Sequence, residues 1–351
     1  MKYAVVGFGT AGYHAVKKIR ELDKEGCIDV YSNTGRAPYN PMLTTYYAFG
    51  KLEYEGMFPF GDLEQIQKEV DFNLRREQVI KVHGSEHLVE TENGSEQYDR
   101  ILIATGARAF APPVKGLEPE DAFLMRTVED ALRFKDRLKK NDIKHAVVIG
   151  ASMAGIKVVE VLHKYGIETW LLDLASYIFP LAAYKEVAKE IEKRVEAQGV
   201  HLMFGVTIDH MEQENGEKTA VLTDGSRIPA DIVGLCIGTR AITETVQGEV
   251  EIGRGIVVDD HMRTSVPGIY AAGDCCEGNN LESGQNQIIG LWANANHQGE
   301  TAGINMAGGD MAYKGNILHN ITHFMNMDFI GFGDNRMQGE VLEYGSLSED
   351  L

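Results

Sequence analysis

The stretch "HAVVIGASMAGIKVVEVLHKYGIETWLLD", residues 145–173, decides the fold. An apolar run of strand length enters a glycine turn at Gly150. An amphipathic segment follows, and a second apolar run closes on Asp173. Short, wholly apolar strands on either side of a helix belong to a βαβ unit, whose parallel sheet is buried on both faces. Gly150 and Gly155, with Ser152 between them, have the spacing at which a tight turn aims a helix N-terminus at a pyrophosphate. Serine at the middle place adds one hydroxymethyl, which a small shift of the phosphate accommodates. Asp173 lies about twenty residues beyond the first glycine, where a carboxylate takes a ribose 2′-hydroxyl and repels a 2′-phosphate. NADH is therefore expected over NADPH; the plainer reading is that Asp173 caps the next segment.

The chain opens with the same pattern, "KYAVVGFGTAGYHAVKKI", in which Gly7, Gly9 and Gly12 follow a buried-strand run. Two such units in one chain imply two nucleotide domains. Prolines in "APYNPML" (37–43) argue for a loop, and the alternation in "QVIKVHGSEHLVETENGSEQY" (78–98) predicts a meander with a hairpin at "ENGS". "DRILIATGARAFAPP" (99–113) reads as a strand entering a glycine turn, with "APP" as a boundary. Helices are predicted over 127–140 and 184–198, and another starts near Trp292. "GLCIGTRA" (234–241) reads as a strand leaving a domain. The expected fold class is α/β: two Rossmann-like three-layer domains, with residues 113–240 inserted into a split domain of 1–112 and 241–312. A short, truncated C-terminal segment, 313–351, follows.

A net charge of −18 excludes nonspecific nucleic-acid binding and attachment to an anionic membrane surface. No apolar run reaches the length of a membrane span, and the apolar start is too short for a secretory signal. Cys27, Cys236, Cys275 and Cys276 form no Cys-x-x-Cys pair, so neither a zinc site nor a cluster held by this chain is expected, and a cytoplasmic location fits. The adjacent pair Cys275–Cys276 reads as two small residues in a packed turn.

Taken together, "GFGTAG", "ILIATGA", "GASMAG", "TSVPGIYAAGD" and "WANANHQGETAG" resemble the FAD-dependent pyridine nucleotide–disulfide oxidoreductase family, and within it the ferredoxin and rubredoxin reductase branch. The resemblance implies FAD on Gly7, Gly9 and Gly12, and NADH on Gly150, Ser152, Gly155, Asp173 and Gly238. It implies that Asp274 holds the flavin ribityl chain. Thr105 and Gly106 would lie near the FAD diphosphate or the domain crossover. The helix from Trp292 would aim its N-terminus at the pyrimidine end of the flavin, with His297 or Gln298 beside it, or His297 on a solvated face.

Three departures from the family pattern shape the functional expectation. The second strand ends in "VYSNTGR", with Ser32 or Asn33 where an acidic residue usually binds the FAD adenosine ribose; Arg36 is a candidate for the diphosphate. "PYNPMLTTYYAFG" (38–50) has no cysteine, which removes the sulfur that thiol–disulfide exchange requires. Thr45 stands where reductases of this branch carry a flavin-side lysine, and Lys157 stands where they carry its glutamate partner. One expectation is that Lys157 approaches flavin N5 or the nicotinamide carboxamide; the other is a surface lysine paired with Glu160. "HFMNMDFIGFG" (323–333) reads as ordinary core packing or as an uncovered face where a partner docks. The leading expectation is an NADH-dependent FAD flavoprotein reductase serving a small iron–sulfur (ferredoxin-like) or rubredoxin-type protein, in either direction. The alternatives are an electron-transfer subunit of a larger iron–sulfur oxidoreductase, in a homo- or hetero-oligomer, and an NADH oxidase.

Overall fold

A computed structural model describes residues 1–335, 340 and 342. The chain divides into two compact units. The first comprises Met1–Asn40, Tyr54–Arg108 and Arg240–Leu318; the second comprises Pro41–Glu53, Ala109–Thr239 and the chain from His319 onward. The run 1–112 is therefore not contiguous in space as expected. Residues 41–53 leave it because the Leu43–Phe49 helix packs on the Val128–Leu138 and Met153–Lys164 helices of the second unit. Prolines end the preceding loop at Pro41, so "LTTYYAF", free of proline, forms a helix that the loop reading did not extend to.

Each unit is built on a five-stranded parallel sheet with the glycine-loop strand at its centre. In the first unit the order is Ile269–Ala271, Arg100–Ile103, Lys2–Val6, Cys27–Tyr31, Asn73–Arg75. In the second it is His201–Phe204, Glu168–Asp173, His145–Ile149, Ile232–Leu235, Ala122–Phe123. Every named pairing is parallel. The central strands "YAVV" and "AVVI" are buried on both faces, which is why their apolar residues run continuously rather than alternating. In the second unit Val147, Ile149 and Leu172 face a three-stranded antiparallel cover, whereas Val148 and Leu171 face the helices. This is the expected three-layer build. The meander of the first unit forms as the sequence pattern requires, with Thr91 paired to Gly94 across the hairpin.

The two central frames match hydrogen bond for hydrogen bond. Gly7 N donates to Tyr31 O at 2.9 Å and Gly150 N to Leu172 O at 2.7 Å. Ala104 N donates to Val6 O, and Cys236 N to Ile149 O, both at 2.8 Å. Glycine is obligatory where these frames crowd. Gly7 and Gly150 have φ of +105° and +106°, and a Cβ on either would strike the carbonyl of Ala104 or Cys236. In the first unit the Trp292–Met306 helix lies hard against the Thr10–Leu22 helix. Gly299 and Gly303 sit over the Ala11 and Ala15 carbonyls, with no room for a Cβ.

Candidate functional site

In open parallel sheets ligands bind beyond the carboxyl ends of the strands. In the first unit those ends carry Gly7, Ser32, Thr105 and the turn that leads to Asp274. The Thr10–Leu22 helix begins here at Gly9, which supplies no side-chain cap and stands exposed. The Trp292–Met306 helix also starts, at Leu291, without a side-chain cap. By contrast Asp62, Thr127 and Ser152 cap the helices that follow them. The first backbone N–H groups of a helix need acceptors. The Leu43–Phe49 and Lys185–Glu196 helices also start without a side-chain cap, but among the α-helices of the first unit only these two starts do, and that of the Thr10–Leu22 helix lies at the glycine loop. Two buried donors, Trp292 Nε1 and Gln298 Nε2, also have no partner among the described residues. The residues present therefore fit a bound dinucleotide with a polar ring system.

The expected side chains are placed as follows. Trp292 is half-buried, its indole stacked on Phe60 with ring centres 5.7 Å apart. Gln298 is buried, and its Oε1 accepts the Gly273 amide at 2.8 Å, which fixes the turn just before Asp274; His297 is exposed. Sequence reasoning passed over this clamp because Gln298 and Gly273 meet only through the fold. Thr105 Oγ1 donates to the Ile242 carbonyl at 2.6 Å, and Ile242 N returns a bond to the Gly106 carbonyl at 2.9 Å. Thr105 thus ties together the two strands of chain that leave the unit. Arg36 donates to the Tyr54 hydroxyl at 2.5 Å. Register distinguishes the places of Ser32 and Asn33. Val6 pairs with Tyr31 as Ile149 pairs with Leu172, so Ser32 is the counterpart of Asp173. Asn33 lies one residue farther, exposed, and donates to Gln78 Oε1 at 2.8 Å.

In the second unit Gly155 sits against the Gly150 carbonyl without room for a Cβ. Ser152 is the helix N-cap: its Oγ accepts the Gly155 amide at 3.3 Å and donates to the Cys236 carbonyl at 3.1 Å. Asp173 reaches back into the loop, accepting the Ala151 amide at 2.7 Å through Oδ2 and the Ala175 amide at 2.8 Å through Oδ1. The capping reading of Asp173 holds in this state, and the carboxylate stays half-buried at the strand end. Gly238, at φ +100°, occupies the place that Gly106 (φ +70°) takes in the first unit, and a Cβ on either would meet open space.

Lys157 pairs with Glu160, as one expectation had it, but not at the surface. It is only 7% exposed, so it is no surface residue. Its ammonium pairs with Glu160 Oε2, donates to the His323 carbonyl at 2.7 Å and lies 4.5 Å over the Tyr46 ring. The carboxylate and the carbonyl take two of its hydrogen bonds, and the Tyr46 ring face lies against its charge. Glu160 Oε1 in turn accepts Lys51 Nζ at 3.1 Å and the Met325 amide at 3.2 Å. Burial pushes the Lys157 pKa down in spite of Glu160. Burial also pushes the Glu160 carboxyl up, but Lys157, Lys51 and the Met325 amide together bring it below the usual range. Thr45 is buried and donates to the Met42 carbonyl at 3.2 Å within its own helix start. The Met-rich "HFMNMDFIGFG" forms most of a hairpin, His319–Phe324 and Met327–Phe332. Phe324, Met325 and Phe329 are buried in the second unit's core, while Ile321, Ile330 and Phe332 stay exposed.

Cys275 and Cys276 follow Asp274 at the first unit's strand ends but are closed to solvent; hydrogen bonding with Cys276, Gly106 and Thr105 holds the Cys275 thiol below its ordinary value, while the Cys276 thiol is pushed up. Cys275 and Cys276 are buried and donate to backbone carbonyls; burial pushes the Cys236 thiol up to about 12. Cys27 is exposed but starts its strand, at the end opposite the glycine loop. Among the described residues, no helix is long and apolar enough to cross a membrane.

A chain with this doubled frame is a two-nucleotide flavoprotein, and the match to a family model over residues 1–299 names the class: the protein belongs to the pyridine nucleotide-disulphide oxidoreductase family. It is an FAD-dependent NAD(P)H oxidoreductase, with FAD and NAD(H) as its cofactors. The chain is 28% identical over 348 residues to the epsilon subunit of NADH-dependent phenylglyoxylate dehydrogenase from Aromatoleum evansii, covering 97% of this chain and 82% of that one. It is 28% identical over 310 residues to the ferredoxin–NAD(+) reductase component of the 3-phenylpropionate/cinnamic acid dioxygenase of Photorhabdus laumondii, covering 87% and 77%. Its fold matches the solved NAD-dependent persulfide reductase from A. fulgidus with a TM-score of 0.90 at 26% identity, over 96% of this chain; this chain spans 64% of that protein's length.

Proposed function

We propose that this protein moves electrons between NAD(H) and a small iron–sulfur or rubredoxin-type protein. Coarsely, it is an NAD(H)-dependent flavoprotein reductase of the ferredoxin/rubredoxin reductase type. The observation that carries the finer reading is the pairing of two complete nucleotide frames with no thiol placed to react. The stretch 38–50 contains no cysteine, and the three buried thiols are held by carbonyls or by burial. A disulfide or persulfide acceptor needs an attacking sulfur, so the electrons leave by a route that uses none.

FAD, when bound, accepts two electrons from NADH together and returns them singly, as a one-electron metal centre requires. The chain's own residues hold and orient the nucleotides. The amides at the start of the Thr10–Leu22 helix, over Gly7, Gly9 and Gly12, meet the FAD diphosphate. Ser32, rather than Asn33, faces the adenosine ribose, and Arg36 flanks the diphosphate. Asp274, fixed by the Gln298 clamp, accepts from the ribityl hydroxyls. The N-terminus of the Trp292–Met306 helix, with the Trp292 indole donor that has no partner among the described residues, would face the ring when FAD is bound and would favour negative charge there. In the second unit the Gly150–Gly155 loop and Gly238 take the NAD diphosphate side, and Asp173 takes the 2′-hydroxyl. Lys157 and Glu160 stabilise the second unit rather than touching the cofactors.

The name of the A. evansii relative supports a second reading, in which this chain works as one subunit of a larger oxidoreductase. One experiment addresses both. The purified, flavin-loaded chain is reduced anaerobically with NADH and offered ferredoxin, rubredoxin, a one-electron dye, a persulfide or oxygen. Fast transfer to a metal protein or dye supports the proposal. Fast dye reduction without turnover of any added metal protein supports the subunit reading. Persulfide turnover, or oxygen consumption as fast as dye reduction, refutes the assignment.

A further inference from the structure

The two glycine loops share one hydrogen-bond frame but differ at the middle position, and the difference is not forced by crowding. Gly9 has φ −81° and ψ −167°, an ordinary extended conformation, and a Cβ there would meet nothing within 4 Å. Ser152 adopts almost the same backbone, φ −94° and ψ 175°. A serine would therefore fit at position 9, yet the first loop leaves its helix start bare. The second loop satisfies itself, because Ser152 Oγ holds the Gly155 amide and is held by the Cys236 carbonyl.

We infer that Ser152 is an internal competitor for the nucleotide diphosphate, which sets the second loop for exchange and leaves the first for retention. The inference rests on the reading that the Gly150–Gly155 loop binds NAD(H), and it assigns Ser152 an affinity-setting role in that site. An N-cap side chain stabilises a helix start by supplying the acceptor that the first-turn amides lack. A diphosphate arriving at Ser152 gains only the surplus over a bond already made, whereas one arriving at Gly9 gains the whole of it. The direction suits the chemistry of the two ligands. NADH must leave as NAD+ in every cycle, while the flavin stays in place through many.

The test uses the full chain with its flavin and NAD+, which binds without reducing or oxidising the resting enzyme. Calorimetric titration is compared for the native protein and for Ser152→Ala, which removes the hydroxyl and keeps the Cβ. Binding should tighten about fivefold, the typical worth of one N-cap. The ligand-free melting temperature should fall, and the rise produced by NAD+ should exceed the native one. In the reciprocal variant, Gly9→Ser, flavin should be lost on desalting about fivefold more readily. Equal or weaker NAD+ binding by Ser152→Ala, or native flavin retention by Gly9→Ser, overturns the inference while leaving the site reading intact. Absence of NAD+ binding in both the native protein and Ser152→Ala, with flavin still bound, removes the site reading and the inference with it.

Discussion

Replacing Lys157 with Met tests the assignment of the buried pair. The substitution keeps the volume and removes the charge, so Glu160 remains as a carboxylate that is only 7% exposed. Breaking a buried pair from one side usually costs about 3–5 kcal/mol, because the surviving charge has lost its compensation. Here Lys51 Nζ at 3.1 Å and the Met325 amide at 3.2 Å remain on the other carboxylate oxygen. That residual support lowers the expected cost to about 2–3 kcal/mol. For a unit of this size the melting temperature should fall by roughly 5–10 °C, read by scanning calorimetry. Hydrogen exchange at Met325 N should accelerate, since its acceptor is loosened. Glu160→Leu in the Lys157→Met background removes the stranded charge and should recover part of the loss. The pH dependence carries a sign. The Glu160 carboxyl lies below its ordinary value of about 4.5 in the folded state. Its contribution is therefore fully present above that value and is lost as pH falls through the folded one. Acid should narrow the gap between native and variant. A Lys157→Met protein as stable as the native one refutes this reasoning. A loss of flavin-reduction rate far beyond the loss of stability would restore the direct cofactor role that the family resemblance suggested.

Other outcomes follow from the same geometry. Asp173→Ala removes a carboxylate bonded to two loop amides, so it should both relax the NADH over NADPH preference, by about tenfold or more in kcat/KM, and lower stability by about 1–2 kcal/mol; an unchanged cofactor ratio counts against the 2′-hydroxyl assignment. Gly12→Ala drives a methyl into the Gly7 carbonyl and should abolish flavin binding, which the visible spectrum of the purified variant reports directly. Thiol titration of the native protein near neutral pH should find one fast equivalent, Cys27, because burial pushes the Cys236 thiol up to about 12 and so keeps it protonated, while Cys275 and Cys276 are shut away; several fast equivalents would reopen a thiol route. Gln298→Leu removes the acceptor of the Gly273 amide and should weaken flavin retention while the fold persists.

The sequence alone determined the doubled βαβ frame, its glycine turns and the residue classes at the strand ends. Those features are local: an unbroken apolar run, a glycine that needs positive φ and a helix start lie within a few residues of one another. "YAVVGFGTAG" and "HAVVIGASMAG" state them in full. The missing cysteine in 38–50 was equally legible, since absence of a sulfur needs no coordinates. Ser152 was visible as an irregularity, but its work as a cap depends on the Cys236 carbonyl, 84 residues away in sequence. The choice of Ser32 over Asn33 needed the register Val6–Tyr31, because a side chain's place at a strand end shifts with each residue of slip. Lys157 was the residue sequence judged least well. Spacing put it on the loop side of its helix, and i to i+3 geometry paired it with Glu160, but neither indicates burial. Tyr46, Lys51 and the His323 carbonyl come from segments more than a hundred residues away in sequence, and they turn a nominal surface pair into a closed polar cluster. Pairing along one helix is written in the sequence; what covers that pair is decided by packing between distant segments, where desolvation sets which charges are free to act.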